Sequence, residues 1–267
     1  MKLNFAFSTC PNDTFMFDAI INKKVDTEGI EFLPIYADIA KLNEWSLTAK
    51  YDITKISYNA FTFSSNNYFL LDSGSALGYN CGPILIKKNK TILNKDSKIG
   101  IPGKYTTANM LMDICFPKFN NRTEVIFSEI EQQLLENKID AGLIIHESRF
   151  SYMKKGLVQV KDLGEYWEEI VGLPIPLGGI VIKRKFSNAI YNKVNRIIKR
   201  SIQYAFDNPS SSMDYVIFHA QEMDIETIKK HINLYVNNFS ISLGNEGSEA
   251  IKKIFTLRGK SAKQIFP

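Results

Sequence analysis

Apolar and polar positions alternate over Lys2 to Phe7, give way to a polar turn at Ser8, Thr9, Pro11, Asn12 and Asp13, and resume at helical spacing from Phe15 to Ile21. The pattern predicts a strand, a polar loop and a helix. A second strand is predicted over Ile30 to Tyr36, a helix over Ile39 to Thr48 and a third strand around Ile53 to Ile56. This βαβ rhythm points to a mainly parallel sheet with helices on its faces.

After Gly82 a strand is predicted over Pro83 to Ile86, then a charged connection, then a strand over Lys98 to Ile101 that Pro102 and Gly103 break. A helix over Thr106 to Cys115, a strand over Thr123 to Phe127, a helix over Ser128 to Asn137 and an apolar strand over Ala141 to Ile145 continue a second βα series. Gly172, Pro174, Pro176, Gly178 and Gly179 punctuate the chain ahead of the apolar strand Ile180 to Ile182. From Asn188 onward the pattern is almost wholly helical, with Asn208 and Pro209 closing one helix and Ser211 or Ser212 placed to cap the next. The expected organisation is one lobe inserted into another: residues 1–86 with 181–267 form the larger lobe, 87–180 the smaller, and a ligand cleft lies between them.

Composition adds exclusions. A chain of 267 residues, 45% of them hydrophobic, can bury a full core and stands near the size at which one core divides into two. The net charge of +5 is modest, and its Lys and Arg are interleaved with Asp and Glu, so a nucleic-acid partner is not expected. The densest basic run, Lys183 to Lys185 followed by Arg196, Lys199 and Arg200, coincides with Ile190, Val194, Ile197, Ile198 and Ile202 at helical spacing, and reads as a solvated helix face. Cys10, Cys81 and Cys115 have neither an even count nor metal-ligand spacing, which fits a reducing compartment and predicts no metal. The stretch Leu3 to Phe7 is cut by Asn12 and Asp13 before a signal-peptide core is complete, and no uncharged apolar run approaches the roughly 18 residues of a membrane helix. A cytoplasmic protein without a membrane partner is expected; its oligomeric state is not set by the sequence.

Four segments can carry chemistry. Ser8 to Phe15 lies between the first strand and the first helix, where open α/β sheets bind ligands and where free N–H groups suit an anion; a plain Asn or Asp cap with a proline turn explains it as well. Thr54 to Ala60 is a second strand-to-helix junction, with Lys55 and with Ser57 either donating to a carboxylate or capping the helix. In Ile101 to Ala108, Gly103 allows a sharp turn and Thr106 and Thr107 bring hydroxyls and N–H groups to a helix start, without the spacing of a nucleotide P-loop. In Gly142 to Arg149, His146 and Glu147 emerge from an apolar strand; the imidazole is either a general base or a histidine satisfied by a neighbouring carbonyl. His219 and His231, in the polar helical region, are expected to be structural. No Gly-x-Ser-x-Gly elbow or His-Glu-x-x-His pattern occurs, so hydrolase and metalloenzyme readings are weak.

Taken together and in order, Ser-Thr-Cys-Pro-Asn-Asp-Thr-Phe at Ser8 to Phe15, Lys-Ile-Ser at Lys55 to Ser57, Pro-Gly-x-x-Thr-Thr-Ala at Pro102 to Ala108, His-Glu at His146 and Glu147, and Leu-Pro-Ile-Pro-Leu-Gly-Gly at Leu173 to Gly179 resemble the 1,4-dihydroxy-6-naphthoate synthase family. The likeness spans most of the chain and thins in the C-terminal helices; Thr9 stands where a proline or another small residue is expected. The resemblance implies a two-lobed α/β fold of the type 2 periplasmic-binding-protein kind, with mixed, mainly parallel sheets, flanking helices and an interlobe cleft. It implies a carbon–carbon lyase of the futalosine route to menaquinone, acting on cyclic dehypoxanthine futalosine without metal or organic cofactor. Carried over by position, His146 matches the proton acceptor, and Lys55, Ile56, Ser57, Thr107 and Ala108 match ligand-binding segments; Thr106, Ser8 and Asn12 join them on physical grounds. In this expectation Ser57 and Thr107 donate N–H and hydroxyl hydrogens to the substrate's carboxylate. Two rivals share the fold: a solute-binding or sensor module, which predicts an export signal or a fused DNA-binding domain, and a chorismate-dehydratase-like lyase, against which the Ser8 to Phe15 motif and His146 weigh.

Overall fold

The computed structural model describes residues 1–220 and 224–267. Its strands are β1 (Lys2–Phe7), β2 (Glu31–Tyr36), β3 (Ile53–Ser57), β4 (Tyr68–Leu70), β5 (Ala76–Gly78), β6 (Ile84–Lys88), β7 (Ile99–Ile101), β8 (Arg122–Glu124), β9 (Ala141–Ile144), β10 (Leu157–Asp162) and β11 (Ile175–Lys183). The helices are α1 (Pro11–Ile21), α2 (Ile39–Leu47), α3 (Tyr58–Ser64), α4 (Thr107–Cys115), α5 (Ile130–Leu135), α6 (Ser148–Ser151), α7 (Leu163–Val171), α8 (Asn188–Asp207), α9 (Met213–His219), α10 (Ile225–Tyr235), α11 (Asn238–Ile241) and α12 (Gly244–Leu257).

Two sheets result. The first has the order β2-β1-β3-β11-β4, with β5 also on β11; the second has the order β10-β6-β9-β7-β8. In the first, β1, β2 and β3 run parallel while β11 runs against β3, β4 and β5. In the second, β7 runs parallel to β8 and β9, while β6 runs against β9 and β10. Among the described residues, each sheet therefore holds one reversed strand, and the two reversed strands, β6 and β11, are those that open each new passage of the chain from one sheet to the other. The expected lobe crossings near residues 86 and 180 fall inside β6 and β11.

Burial explains the local structure. Strand β3 is buried at every position, as befits a strand covered on both faces, and β1 buries Leu3, Phe5 and Phe7 against Phe17 of α1 and the apolar stripe of α8. That stripe, Tyr191, Val194, Ile197, Ile198, Ile202 and Ala205, follows the helical period. Its opposite face carries Arg196 and Arg200 paired to Glu28, so the basic run is the solvated face the sequence predicts.

Several predicted elements shift. The strand expected over 123–127 is confined to Arg122–Glu124, with Phe127 already in a 3₁₀ turn, and the following helix shortens to Ile130–Leu135. The Gly and Pro cluster expected to punctuate the chain lies partly inside β11, where a bulge separates Pro176 from Gly178. A Cβ on Gly178 would stand 2.7 Å from the Ile56 carbonyl oxygen, so the glycine is there for close backbone approach. Of the helical C-terminal expectation, residues 221–223 lie outside the described residues. Among the described residues, no helix is long and apolar enough to cross a membrane.

Candidate active site

The chain segments that follow β1, β3, β7 and β9 converge on one cleft enclosing about 650 Å³ of empty space, open in part to solvent. Carboxyl ends of strands are where open α/β sheets gather ligands. Ser8, Asn12, Lys55, Ser57, Thr106, Thr107, Ala108 and His146 all line it, so eight of the residues singled out from sequence meet in one place. Ile56 does not join them. Successive side chains of a strand point to opposite faces, so Lys55 and Ser57 turn to the cleft while Ile56 packs among Tyr58, Phe61 and Leu70 in the core.

The floor is an ion pair. Lys55 Nζ lies 3.1 Å from Asp13 Oδ1, both side chains almost fully buried, and also donates to the Gly74 carbonyl at 3.0 Å. The Asp13 carboxylate further accepts from the Ser8 N–H, the Ser8 hydroxyl and Asn12 Nδ2. Asp13 neutralises the lysine locally, so Lys55 cannot offer a substrate anion a full, uncompensated charge. Asp13 itself was without an assigned role in the sequence, yet a lysine inside a strand of otherwise apolar and small residues demands a buried carboxylate.

Thr106 lines the cleft, but its hydroxyl is engaged elsewhere. Its hydroxyl donates to the Gly103 carbonyl at 2.7 Å and accepts from the Asn109 N–H, so it is spent on capping α4. Gly103 turns the chain into this cap at φ +135°, a conformation open to glycine. The Thr107 hydroxyl likewise donates to the Leu177 carbonyl at 2.8 Å. What α4 presents to the cleft is its start, where the first N–H groups, those of Thr107 and Ala108, lie beyond the reach of intrahelical acceptors. Ser57 keeps its expected capacity: Asn43 Nδ2 donates to its Oγ at 3.0 Å, which leaves the hydroxyl hydrogen for another acceptor.

His146 follows β9 in the left-handed region, at φ +59°. A non-glycine residue held there costs about 1 kcal/mol or more, and such strain gathers at functional sites. Its ring is clasped between Phe127, 4.9 Å away, and His231, 5.7 Å away at 14° between planes, with Cys10 Sγ 3.9 Å from Nε2. Burial lowers the imidazole from its usual 6.5 to about 4, with the Asp13 charge opposing the fall. Burial, with the Glu147 charge adding, holds the Cys10 thiol well above its ordinary value, so this neighbour stays protonated. Tyr235, Cys81, Pro83, Ile39, Ile145 and Leu177 supply an apolar wall that the sequence did not assign.

His231 departs furthest from expectation. It is fully buried in α10, with Nε2 3.0 Å from Asn12 Oδ1 and Nδ1 3.4 Å from Glu147 Oε2. The signal was present: positions 228, 231, 232 and 235 share the buried face of α10, and the mixed polarity of the segment masked it. Trp167 and Tyr58 are core residues. Among the described residues, the donor atoms of His146, Glu147 and His231 lie within 4.8 Å of one another.

The lowered imidazole has a consequence for stability. Below its usual pKa of 6.5, an unfolded His146 takes up a proton that the folded one refuses until about pH 4. The unfolded state therefore binds more protons in that window, and stability falls as pH drops through it, by roughly 3 kcal/mol from this group. Urea unfolding between pH 7 and pH 4 is expected to show a falling midpoint, and a midpoint flat across that range would contradict the buried neutral ring.

Three comparisons bear on this site. A family model described as menaquinone biosynthesis matches residues 3–260. The chain is 38% identical over 253 residues to a protein of Thermus thermophilus named 1,4-dihydroxy-6-naphtoate synthase, covering 95% of this chain and 92% of the relative. It is 36% identical over 260 residues to a protein of the same name from Streptomyces coelicolor, with the same coverage. A crystal structure from Archaeoglobus fulgidus superposes with a TM-score of 0.92 at 33% identity over 97% of each chain. The ligand-binding component of an ABC-type import system from Staphylococcus aureus, solved with zinc bound, superposes at 0.73 and 12% identity over 100% of this chain and 96% of its own, a likeness of fold.

Proposed function

The chain belongs to the menaquinone-biosynthesis family, and from that premise we propose that it is a carbon–carbon lyase converting cyclic dehypoxanthine futalosine to 1,4-dihydroxy-6-naphthoate, with His146 as general base. The observation that carries this reading is one cleft holding a neutral, enclosed imidazole and a helix start with outward N–H groups. A base must be unprotonated at the working pH, and His146 meets that condition down to about pH 4. The substrate's carboxylate is held by the Thr107 and Ala108 N–H groups and the Ser57 hydroxyl, at the positive end of the α4 dipole.

In this reading His146 removes a substrate proton to start carbon–carbon cleavage. Lys55 acts with Asp13 as a neutral, rigid floor, and Ser8 and Asn12 fix that floor in place. The lobes formed by residues 1–86 with 181–267 and by residues 87–180 close over the substrate and exclude water while the product aromatises. The reaction proceeds in the cytoplasm and draws on no metal or organic cofactor. The names carried by the Thermus and Streptomyces relatives support the same product.

The test is incubation of purified protein with cyclic dehypoxanthine futalosine, with product followed by mass. Formation of the naphthoate at a rate proportional to enzyme is the expected result. Tight binding of the compound without turnover would replace the enzyme by a binding module of the same fold.

A further inference from the structure

A hydrogen-bond chain runs from the floor of the cleft to the back of the proposed base. Asp13 can only accept, so the Asn12 group 3.0 Å from its Oδ1 is the amide nitrogen, Nδ2. That contact fixes the orientation of the Asn12 amide and turns its oxygen to His231 Nε2, 3.0 Å away. An amide oxygen has no proton to give. His231 must therefore carry its hydrogen on Nε2, and burial drives the ring to its neutral form, which leaves Nδ1 as the bare nitrogen. Glu147 Oε2 stands 3.4 Å from the Nδ1 edge, while full burial of the ring and the second imidazole beside it oppose an imidazolium.

The same ring lies nearly parallel to His146, 5.7 Å away, and Phe127 stands tilted at 57° to it, 4.9 Å away. His146 sits on a strained backbone, in a segment directly after β9, and the near-parallel His231 ring is its packing neighbour from α10. His231 is itself anchored from a distant helix, α10, and does not line the cleft. We propose that His231 is a positioning residue: locked as the Nε2–H tautomer by the Asp13–Asn12 chain, it holds the His146 ring in the plane from which the base meets its substrate. The inference rests on His146 being the base.

The expected effects follow from geometry. A His231→Phe variant keeps an aromatic wall but cannot donate to Asn12, so Asn12 and the ring above it lose their fixed register. Small misplacements of a catalytic group cost about 10²-fold in rate. In the naphthoate-forming assay, kcat is expected to fall by about that much while KM changes by less than about 3-fold, since His231 touches no substrate. His231→Gln, whose amide nitrogen can donate to Asn12 Oδ1, is expected to recover part of the lost kcat.

A second measurement stands independently of how well the variants fold: long-range ¹H–¹⁵N correlation on the wild-type protein, which reads the tautomer of each histidine ring. A neutral His231 protonated at Nε2 is expected. A ring protonated at Nδ1 alone overturns the proposal, as does a folded His231→Phe protein with wild-type kcat. His146→Ala run alongside separates the two ideas: if that variant turns over normally, the base assignment fails, whereas an inactive His146→Ala with an unimpaired His231→Phe removes the positioning role and leaves the base standing.

Discussion

His146→Ala is expected to lower the turnover of cyclic dehypoxanthine futalosine by about 10³-fold while leaving the dissociation constant of the compound within a few-fold of wild type. General bases contribute about 10²- to 10⁴-fold, and the expected loss stands at the middle of that range. Affinity is preserved because the donors assigned to the carboxylate, Ser57 and the α4 N terminus, lie on other segments and hold their geometry through Asn43 and the Thr106 cap. The change also vacates the space beside Phe127 and His231 and leaves alanine in the left-handed region, so a melting curve of the variant is run alongside. Added imidazole, free to enter the space the ring vacates, should restore part of the rate. A variant with wild-type turnover would move the base elsewhere, and one that lost binding and turnover together would make His146 a ligand instead.

The second large effect is thermodynamic. Lys55→Met removes one half of the buried ion pair and leaves the Asp13 carboxylate with three hydrogen bonds but no compensating charge. Breaking a buried pair on one side costs about 3–5 kcal/mol. In a chain of this size that corresponds to a fall in melting temperature of roughly 10 °C. Asp13→Asn added to Lys55→Met is expected to recover a substantial part, because it removes the stranded charge. A loss below about 1 kcal/mol for Lys55→Met would mean that Asp13 is held by its neutral donors alone. The prediction is read from urea or thermal unfolding, with no need of substrate.

The elements with long, regular periods were legible in the sequence. Strands β1, β2 and β3 and the whole of α8 appear where apolar spacing placed them, whereas α1 begins at Pro11, ahead of the expected Phe15, and takes in Asn12 and Asp13 from the expected polar turn. Strands β4 and β5 were not legible because each has three residues, too few to display a period. Strand β10 and helix α7 were lost for another reason. Asp162 ends the strand and caps the helix, accepting from the Gly164 and Glu165 N–H groups, so no Gly or Pro turn marks where one period gives way to the other. At the site, motifs on single strand ends were found, and what escaped was the partner each one required from far along the chain. Lys55 implied an acid, and Asp13 was already in view; His146 implied a support, and His231 was hidden on a helix of mixed polarity. The roles of Thr106 and Thr107 turned on hydroxyl partners, Gly103 and Leu177, that spacing does not disclose.

The placement of β11 has a consequence for how the protein is made. This strand lies between β3 and β4 and also pairs with β5, so three strands complete by residue 78 share a neighbour that ends at residue 183. During synthesis one edge of β3 stays open until that later segment leaves the ribosome. The second sheet has no such debt, because β6 to β10 span a continuous stretch and can pair as they emerge. The β2-β1-β3 part of the first sheet can pair as it emerges, whereas β4 and β5 gain their sheet neighbour only after the whole of the second sheet has been synthesised.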